Sequence, residues 1–151
     1  MAEEFRQIVR VAGVDLQGDK AAVFAIARIK GIGINLAYMI LRKLGVNPYV
    51  KLGSLSEAEI RKLDSTLKEV HKLGFPSWVL NRRKDPFLGM DRHLITSDLV
   101  LTVRGDIEFM KNIRSWRGIR HMYGLKVRGQ RTRTTGRTGI TVGVKRGKGG
   151  R

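Results

Sequence analysis

Apolar positions in this chain follow helical spacing in five stretches and strand-like spacing in one. Ile8-Val9-Arg10-Val11 is a β-type run closed by Ala12-Gly13, and it predicts a short strand or extended arm. From Lys20 to Ile29, Val23, Phe24, Ile26, Ala27 and Ile29 recur at helical spacing, with Asp19 as the N-cap. Gly31-Ile32-Gly33 is expected to stop that helix. Asn35 then caps a second one, whose stripe is Leu36, Met39, Ile40, Leu41 and Leu44; Gly45 takes the C′ position and Pro48 follows. Ser56-Glu57-Ala58-Glu59 reads as a capping box. It opens a third helix in which Ile60, Leu63, Leu67 and Val70 face inward, and which runs to Leu73 before Gly74-Phe75-Pro76. A fourth starts near Ser97-Asp98 and carries Leu99, Val103, Ile107, Met110 and Ile113 on one face, with Gly105 a weak point. A short fifth, Trp116 to Tyr123, ends at Gly124.

Two stretches break the periodicity. Residues 75–93 mix aromatics with the basic triplet Arg82-Arg83-Lys84 between prolines, and predict an ordered loop exposing Trp78 and residues 82–84. After Gly124, glycines at 129, 136, 139, 143, 147, 149 and 150 interrupt every possible element. The expected fold is mainly α. A helical body spans 1–124, with a short N-terminal strand and the 75–93 insertion, and an extended basic tail spans 125–151.

Charge sharpens the division. The chain has 151 residues and a formal net charge of +17. Its last acid is Glu108. The 43 residues after it carry thirteen Lys/Arg and no Asp or Glu, so +13 of the total lies there. Such a segment repels itself and is stabilised by a polyanion. Being rich in Arg and Gly and poor in large apolar groups, it suits a nucleic-acid backbone. Cysteine is absent, which excludes disulfides and thiolate metal sites and points to a reducing compartment. Met1-Ala2-Glu3-Glu4-Phe5 lacks the apolar region of a signal peptide, and no apolar run reaches transmembrane length, so a soluble intracellular protein is expected.

Three constellations could carry binding. Lys30-Gly31-Ile32-Gly33-Ile34-Asn35 lies between two helices. Glycines there allow close approach of a sugar-phosphate backbone, and the free N–H groups of the second helix suit a phosphate. A plain helix cap is the alternative. In the segment 114–124, Arg114, Arg117 and Arg120 recur every three residues, placing them on one helix face to grip phosphates bidentately. Trp116, Ile119 and Tyr123 recur on another face and are expected to anchor on the core; the alternative for the arginines is a solvated cationic face. In Leu125 to Arg137, Arg alternates with Thr. An extended chain would put the guanidinium groups on one side and the hydroxyls opposite, for phosphates or riboses. An Arg/Gly tail of this kind suits folded RNA better than a duplex reader, and it lacks the apolar anchors of a membrane-adsorbing segment.

Catalysis finds little support. His71, His93 and His121 are scattered without metal-ligand spacing; His71 suits a helix end and His121 a packing or RNA-facing place. No nucleophile elbow, Walker loop or paired-carboxylate motif occurs. Asp85, Asp91, Asp98 and Asp106 read as turn and cap residues.

Several segments resemble the universal small-subunit ribosomal protein thirteen family in its archaeal and eukaryotic form. They are Val11-Ala12-Gly13-Val14-Asp15, Gly31-Ile32-Gly33, Arg117-Gly118-Ile119-Arg120-His121 with Gly124-Leu125, and, most specifically, Val127-Arg128-Gly129-Gln130-Arg131-Thr132-Arg133-Thr134. The insertion from Trp78 to Asp91 also matches that longer form. The resemblance implies a helix-two-turn-helix body in the small-subunit head, without cofactor, metal or catalytic residue. It implies binding to small-subunit ribosomal RNA through Lys30, Gly31, Gly33, Arg114, Arg117, Arg120, His121, Arg128, Gln130, Arg131, Arg133, Thr135 and Arg137. Contacts with small-subunit protein nineteen, a bridge to large-subunit protein five, and an approach of Lys145, Arg146 and Lys148 to the peptidyl-site transfer RNA are implied too. The implied location is the cytoplasmic ribosome, with no membrane.

Two other classes compete. DNA glycosylases share helix-two-turn-helix bodies, but they need an N-terminal catalytic residue or a buried base in a second domain, and neither is evident in this sequence. A chromatin-like DNA compactor would need only phosphate contacts, and would leave the order of Arg, Gly and Thr after Leu125 unexplained.

Overall fold

The computed structural model describes residues 5–135. It is mainly α, as expected, and divides into two compact units, Met1–Thr102 and Val103–Arg151. The elements of the first are strands β1 (Ile8–Val11) and β2 (Val14–Gln17), helices α1 (Ala22–Ile26), α2 (Ile34–Lys43) and α3 (Glu57–Lys68), and the start of α4 (Thr96–Asn112). Helix α5 (Trp116–Met122) belongs to the second. Single 3₁₀ turns occur at Leu52–Ser54, Val70–Leu73 and Ser77–Val79.

The apolar run at Ile8 is one arm of a hairpin. β1 pairs antiparallel with β2, Val9 opposite Leu16 and Val11 opposite Val14. Ala12 and Gly13 turn the chain with φ of 50° and 75°, the left-handed pair of a two-residue hairpin. The side chain of Asp64 on α3 accepts the Ala12 N–H at 2.8 Å and holds the turn. The partner strand was not predicted, although Val14-Asp15-Leu16-Gln17 alternates apolar and polar; four residues are too short a run to stand out by themselves.

Helix α1 is half its expected length, and Asp19 does not cap it. Residues 20–23 first run beside residues 48–52: Ala22 N–H donates to the Val50 carbonyl at 2.8 Å, and Leu52 N–H to the Lys20 carbonyl at 2.9 Å. That pairing keeps the chain extended through Ala21, which becomes the N-cap. The one-turn helix turns Ala22, Val23, Ala25 and Ile26 inward, so Phe24 points out and is 52% exposed, against expectation.

α2 follows its predicted stripe, with Leu36, Ile40 and Leu41 buried. Its N-cap is Gly33 rather than Asn35, which is an exposed residue of the first turn. Gly45 has the left-handed φ of 74° expected just past the helix. The capping box at α3 forms in full: Glu59 N–H donates to Ser56 Oγ at 3.3 Å, and Ser56 N–H to Glu59 Oε2 at 2.9 Å. α3 stops at Lys68, because Glu69 leaves helical geometry at φ −127° and ψ 41°. The expected last turn survives as the 3₁₀ turn Val70–Leu73. The largest fully buried side chains of this unit are Val11, Leu16, Ile26, Ile29, Ile40, Leu41, Leu52, Leu63, Leu67 and Val70.

Candidate nucleic-acid interface

Two successive turns join α1 to α2. Ile29 N–H bonds the Ile26 carbonyl, and Ile32 N–H bonds the Ile29 carbonyl, each at 3.0 Å. Lys30 is exposed, while its carbonyl accepts the Thr96 N–H at 2.9 Å. Gly31 has φ of +98°, and a β-carbon there would lie 2.5 Å from the Leu94 carbonyl oxygen. Its bare α-carbon is taken up by the chain's own packing against Leu94. Gly33 differs. It is exposed, a β-carbon would meet nothing within 4 Å, and no side chain caps the helix it begins. The start of α2 thus leaves Lys30, Gly33 and the uncapped first-turn N–H groups open to solvent.

His93, read as a scattered residue, is the tie that holds this hairpin. It is 8% exposed. Its Nε2 faces the Gly31 carbonyl at 3.0 Å, and its Nδ1 accepts the Asn81 N–H at 3.3 Å. Asn81 completes the clamp: its amide donates to the Leu94 carbonyl at 2.7 Å, and its carbonyl accepts the Leu94 N–H at 2.9 Å. Sequence could not find this, because nothing in the spacing of His93 marks a residue 62 positions from its partner.

Burial pushes the His93 imidazole below its ordinary pKa, with the Gly31 carbonyl partly opposing. The unfolded chain therefore takes up its proton first as pH falls. Stability from the neutral ring is complete above about pH 6.5, the ordinary histidine value, and is lost as pH drops from there towards the lower folded value. Urea unfolding across that window is expected to show wild type losing stability faster than His93→Gln. Parallel curves would show that His93 is not the titrating group.

The 75–93 insertion is ordered, as expected, and Trp78 is 71% exposed. Arg82 is not displayed with its neighbours. Its side chain is 14% exposed and pairs at 3.0 Å with Asp85, itself nearly buried. The Phe87 N–H, and then Arg82, hold the Asp85 carboxyl below the usual carboxylate range. Asp85 is thus a turn residue, as read, but one that removes Arg82 from the surface. Arg83 and Lys84 remain exposed.

In the second unit, α5 begins at Trp116 with Ser115 as N-cap, its Oγ accepting the Gly118 N–H at 3.1 Å. Arg114 precedes the helix with φ of 54°, so it does not share a helix face with Arg117 and Arg120. Arg117 is exposed. Arg120 donates from Nε to the Lys126 carbonyl at 2.9 Å and stacks over the Trp116 ring at 5.7 Å. The expected core anchoring of the aromatics fails: Trp116 and Tyr123 are each 71% exposed, and Ile119 and His121 are half-buried. The buried residue of α5 is Gly118. A β-carbon there would stand 2.0 Å from the Met110 carbonyl oxygen. The corner between α4 and α5 is a backbone-to-backbone contact, invisible to a search for apolar stripes. Gly118→Ala is expected to cost about 1–3 kcal/mol by overpacking against backbone that cannot rotate away. Amide exchange at Ile119 and Tyr123 would report it, and unchanged protection would refute it.

Beyond Gly124 the described segment is not a straight strand. It bends at 127–129 and at 133–135, and Gly129 has φ of +72°. The Gln130 side chain accepts the Arg128 N–H at 3.1 Å, and the Thr135 hydroxyl donates to the Arg131 carbonyl. Both shape the chain locally. Arg128, Arg131 and Arg133 are exposed. Arg137, Lys145, Arg146 and Lys148 lie outside the described residues.

No group of three or more His, Asp or Glu among the described residues could hold a metal ion. No helix there is long and apolar enough to cross a membrane. What the second unit presents is a cationic, arginine-rich surface with exposed aromatics.

The family model described as ribosomal protein S13/S18 matches residues 10–138. A protein of Thermofilum pendens named small ribosomal subunit protein uS13 is 70% identical over 148 residues, covering 98% of this chain and 94% of that protein. The protein of the same name from Saccharolobus solfataricus is 54% identical, over 98% of this chain and 90% of its own length. The one from Aeropyrum pernix is 55% identical over 94% of this chain and 95% of its own length. The match runs through the hairpin, the insertion, α5 and the arginine block alike, and on that ground this chain belongs to the ribosomal protein S13/S18 family.

Proposed function

We propose that this chain is a structural, non-catalytic constituent of the small ribosomal subunit, working on the cytoplasmic ribosome and seated in the head, where it binds ribosomal RNA. The observation that carries the reading is the run of thirteen Lys/Arg without an acid after Glu108, with Arg117, Arg128, Arg131 and Arg133 exposed. A body of residues 1–124 docks through Lys30, Gly33 and the start of α2. A tail of residues 125–151 follows the RNA, with Arg137 continuing the row. Gly31, Gln130 and Thr135 contribute by shaping the backbone, and Arg114 and His121 flank the same surface. The body meets small-subunit protein nineteen and bridges to large-subunit protein five. Lys145, Arg146 and Lys148 approach the peptidyl-site transfer RNA.

The test is binding of the full chain to small-subunit head RNA and to duplex DNA of equal length, each across a salt titration. Preference for the RNA at physiological salt is expected. Equal affinity and slope for both would make the protein a non-specific polycation. Arg131→Ala should lower the RNA salt slope by roughly 0.7–0.9, the share of one phosphate contact. An unchanged slope would show that Arg131 does not meet phosphate.

A further inference from the structure

Trp116 stands out on α5. It is a large aromatic, 71% exposed, in a segment that carries no acid after Glu108. Its ring is not loose. The Arg120 guanidinium covers one face at 5.7 Å from the centroid, and Arg120 is itself tied to the Lys126 carbonyl at 2.9 Å. The indole is held at one face and leaves the other open. Tyr123, also 71% exposed, lies seven positions on, about two helical turns along the same side. Arg114, Arg117, Lys126 and Arg128, close to these rings in sequence, are exposed too.

We propose that α5 is a stacking platform for unpaired ribonucleotides, a base lying on the open face of Trp116 with its phosphate on Arg117. This rests on the RNA-binding reading and specifies the RNA it takes. An aromatic face binds any base that is not already stacked, and guanidinium groups beside it neutralise the linking phosphate. A paired helix hides its base faces inside its own stack, so only a loop, bulge or strand end can use the ring. Tyr123 supplies a second ring for a nucleotide further along the same strand. The unbalanced positive charge favours this occupant over a protein surface, which would need its own acids to neutralise four cations.

The test uses the full chain carrying Trp78→Phe, which leaves Trp116 as the only indole of the two in the sequence. Probes are a transcript of the small-subunit head RNA and a fully paired RNA duplex of equal length. Head RNA should quench the Trp116 emission strongly, and the duplex weakly. Trp116→Leu should bind head RNA about 5- to 150-fold more weakly, the range for losing one stacked base. Its salt slope should not change, since no phosphate contact is removed. Trp116→Phe should restore most of the affinity, and thermal unfolding should be unaltered. Full affinity in Trp116→Leu, with wild type still preferring head RNA, would overturn the platform alone. So would an equal loss on the duplex, or normal RNA binding with poor incorporation into subunits, which would assign the ring to a protein contact. If wild type itself shows no preference for head RNA over the duplex DNA, the RNA-binding reading fails first.

Discussion

Gly31→Ala is expected to be among the most damaging single-atom-scale changes in the first unit, and Gly33→Ala among the mildest. The two glycines sit two positions apart in one motif and look equivalent in sequence. At Gly31 an L side chain meets a φ of +98° and a carbonyl oxygen 2.5 Å away. The backbone strain costs about 1–3 kcal/mol. Overlap with a main-chain atom adds about 1–3 kcal/mol more. The neighbour is backbone clamped by Asn81 on both its N–H and its carbonyl, so it yields little. At Gly33 φ is −93° and the space is open, so alanine costs less than about 1 kcal/mol, the loss of a permissive N-cap. Urea midpoints of the two variants check this, and similar midpoints would overturn it. The contrast also relocates the RNA question. Gly33→Val is expected to fold normally rather than disrupt the hairpin, and to bind head RNA more weakly if a phosphate reaches the start of α2. Native stability with native affinity would leave Gly33 a plain helix cap.

Truncation should produce the largest change in RNA binding. Cutting after Gly124 removes nine of the thirteen cations that follow Glu108. It also removes the Leu125 N–H that bonds the Arg120 carbonyl, and the Lys126 carbonyl that receives Arg120 Nε. A cut after Gly129 keeps those two bonds and still removes seven Lys/Arg. The second protein therefore isolates the charge. If each removed cation meets a phosphate, its salt slope should fall by about five to six, at about 0.7–0.9 per contact. Affinities of full and shortened chains should converge as salt rises. A slope that barely moves would mean the tail passes the RNA without engaging it. A larger loss in the Gly124 cut than its two extra cations explain would measure the contribution of the Arg120 ties.

Much was legible because some signals are local. The capping box at Ser56, the glycine after α2 and the α2 stripe each depend on residues within one or two turns, and each formed as expected. Val11 to Asp15, the Gly31-Ile32-Gly33 motif, the RGIRH segment, the 78–91 insertion and, most specifically, the arginine block carried the family resemblance. The failures share a cause. Asp19 lost its cap because residues 48–52 hold residues 20–23 extended, and Phe24 turned outward once α1 shrank to one turn. Arg82 was withdrawn by Asp85, and Arg114 fell outside α5. Trp116 and Tyr123 have the spacing of core residues but are exposed.

The sequence by itself determined the existence of the five α-helices, the mainly α class and the charge break at Glu108, since propensity, capping and net charge are properties of neighbouring residues. The tertiary structure alone decided which glycine of the Gly31-Ile32-Gly33 motif packs against backbone, that His93 clamps the hairpin from 62 positions away, and that α5 turns its aromatics to solvent. Those outcomes depend on backbone segments meeting across long separations, and a one-dimensional pattern does not encode the distance from Gly31 to Leu94 or from Gly118 to Met110.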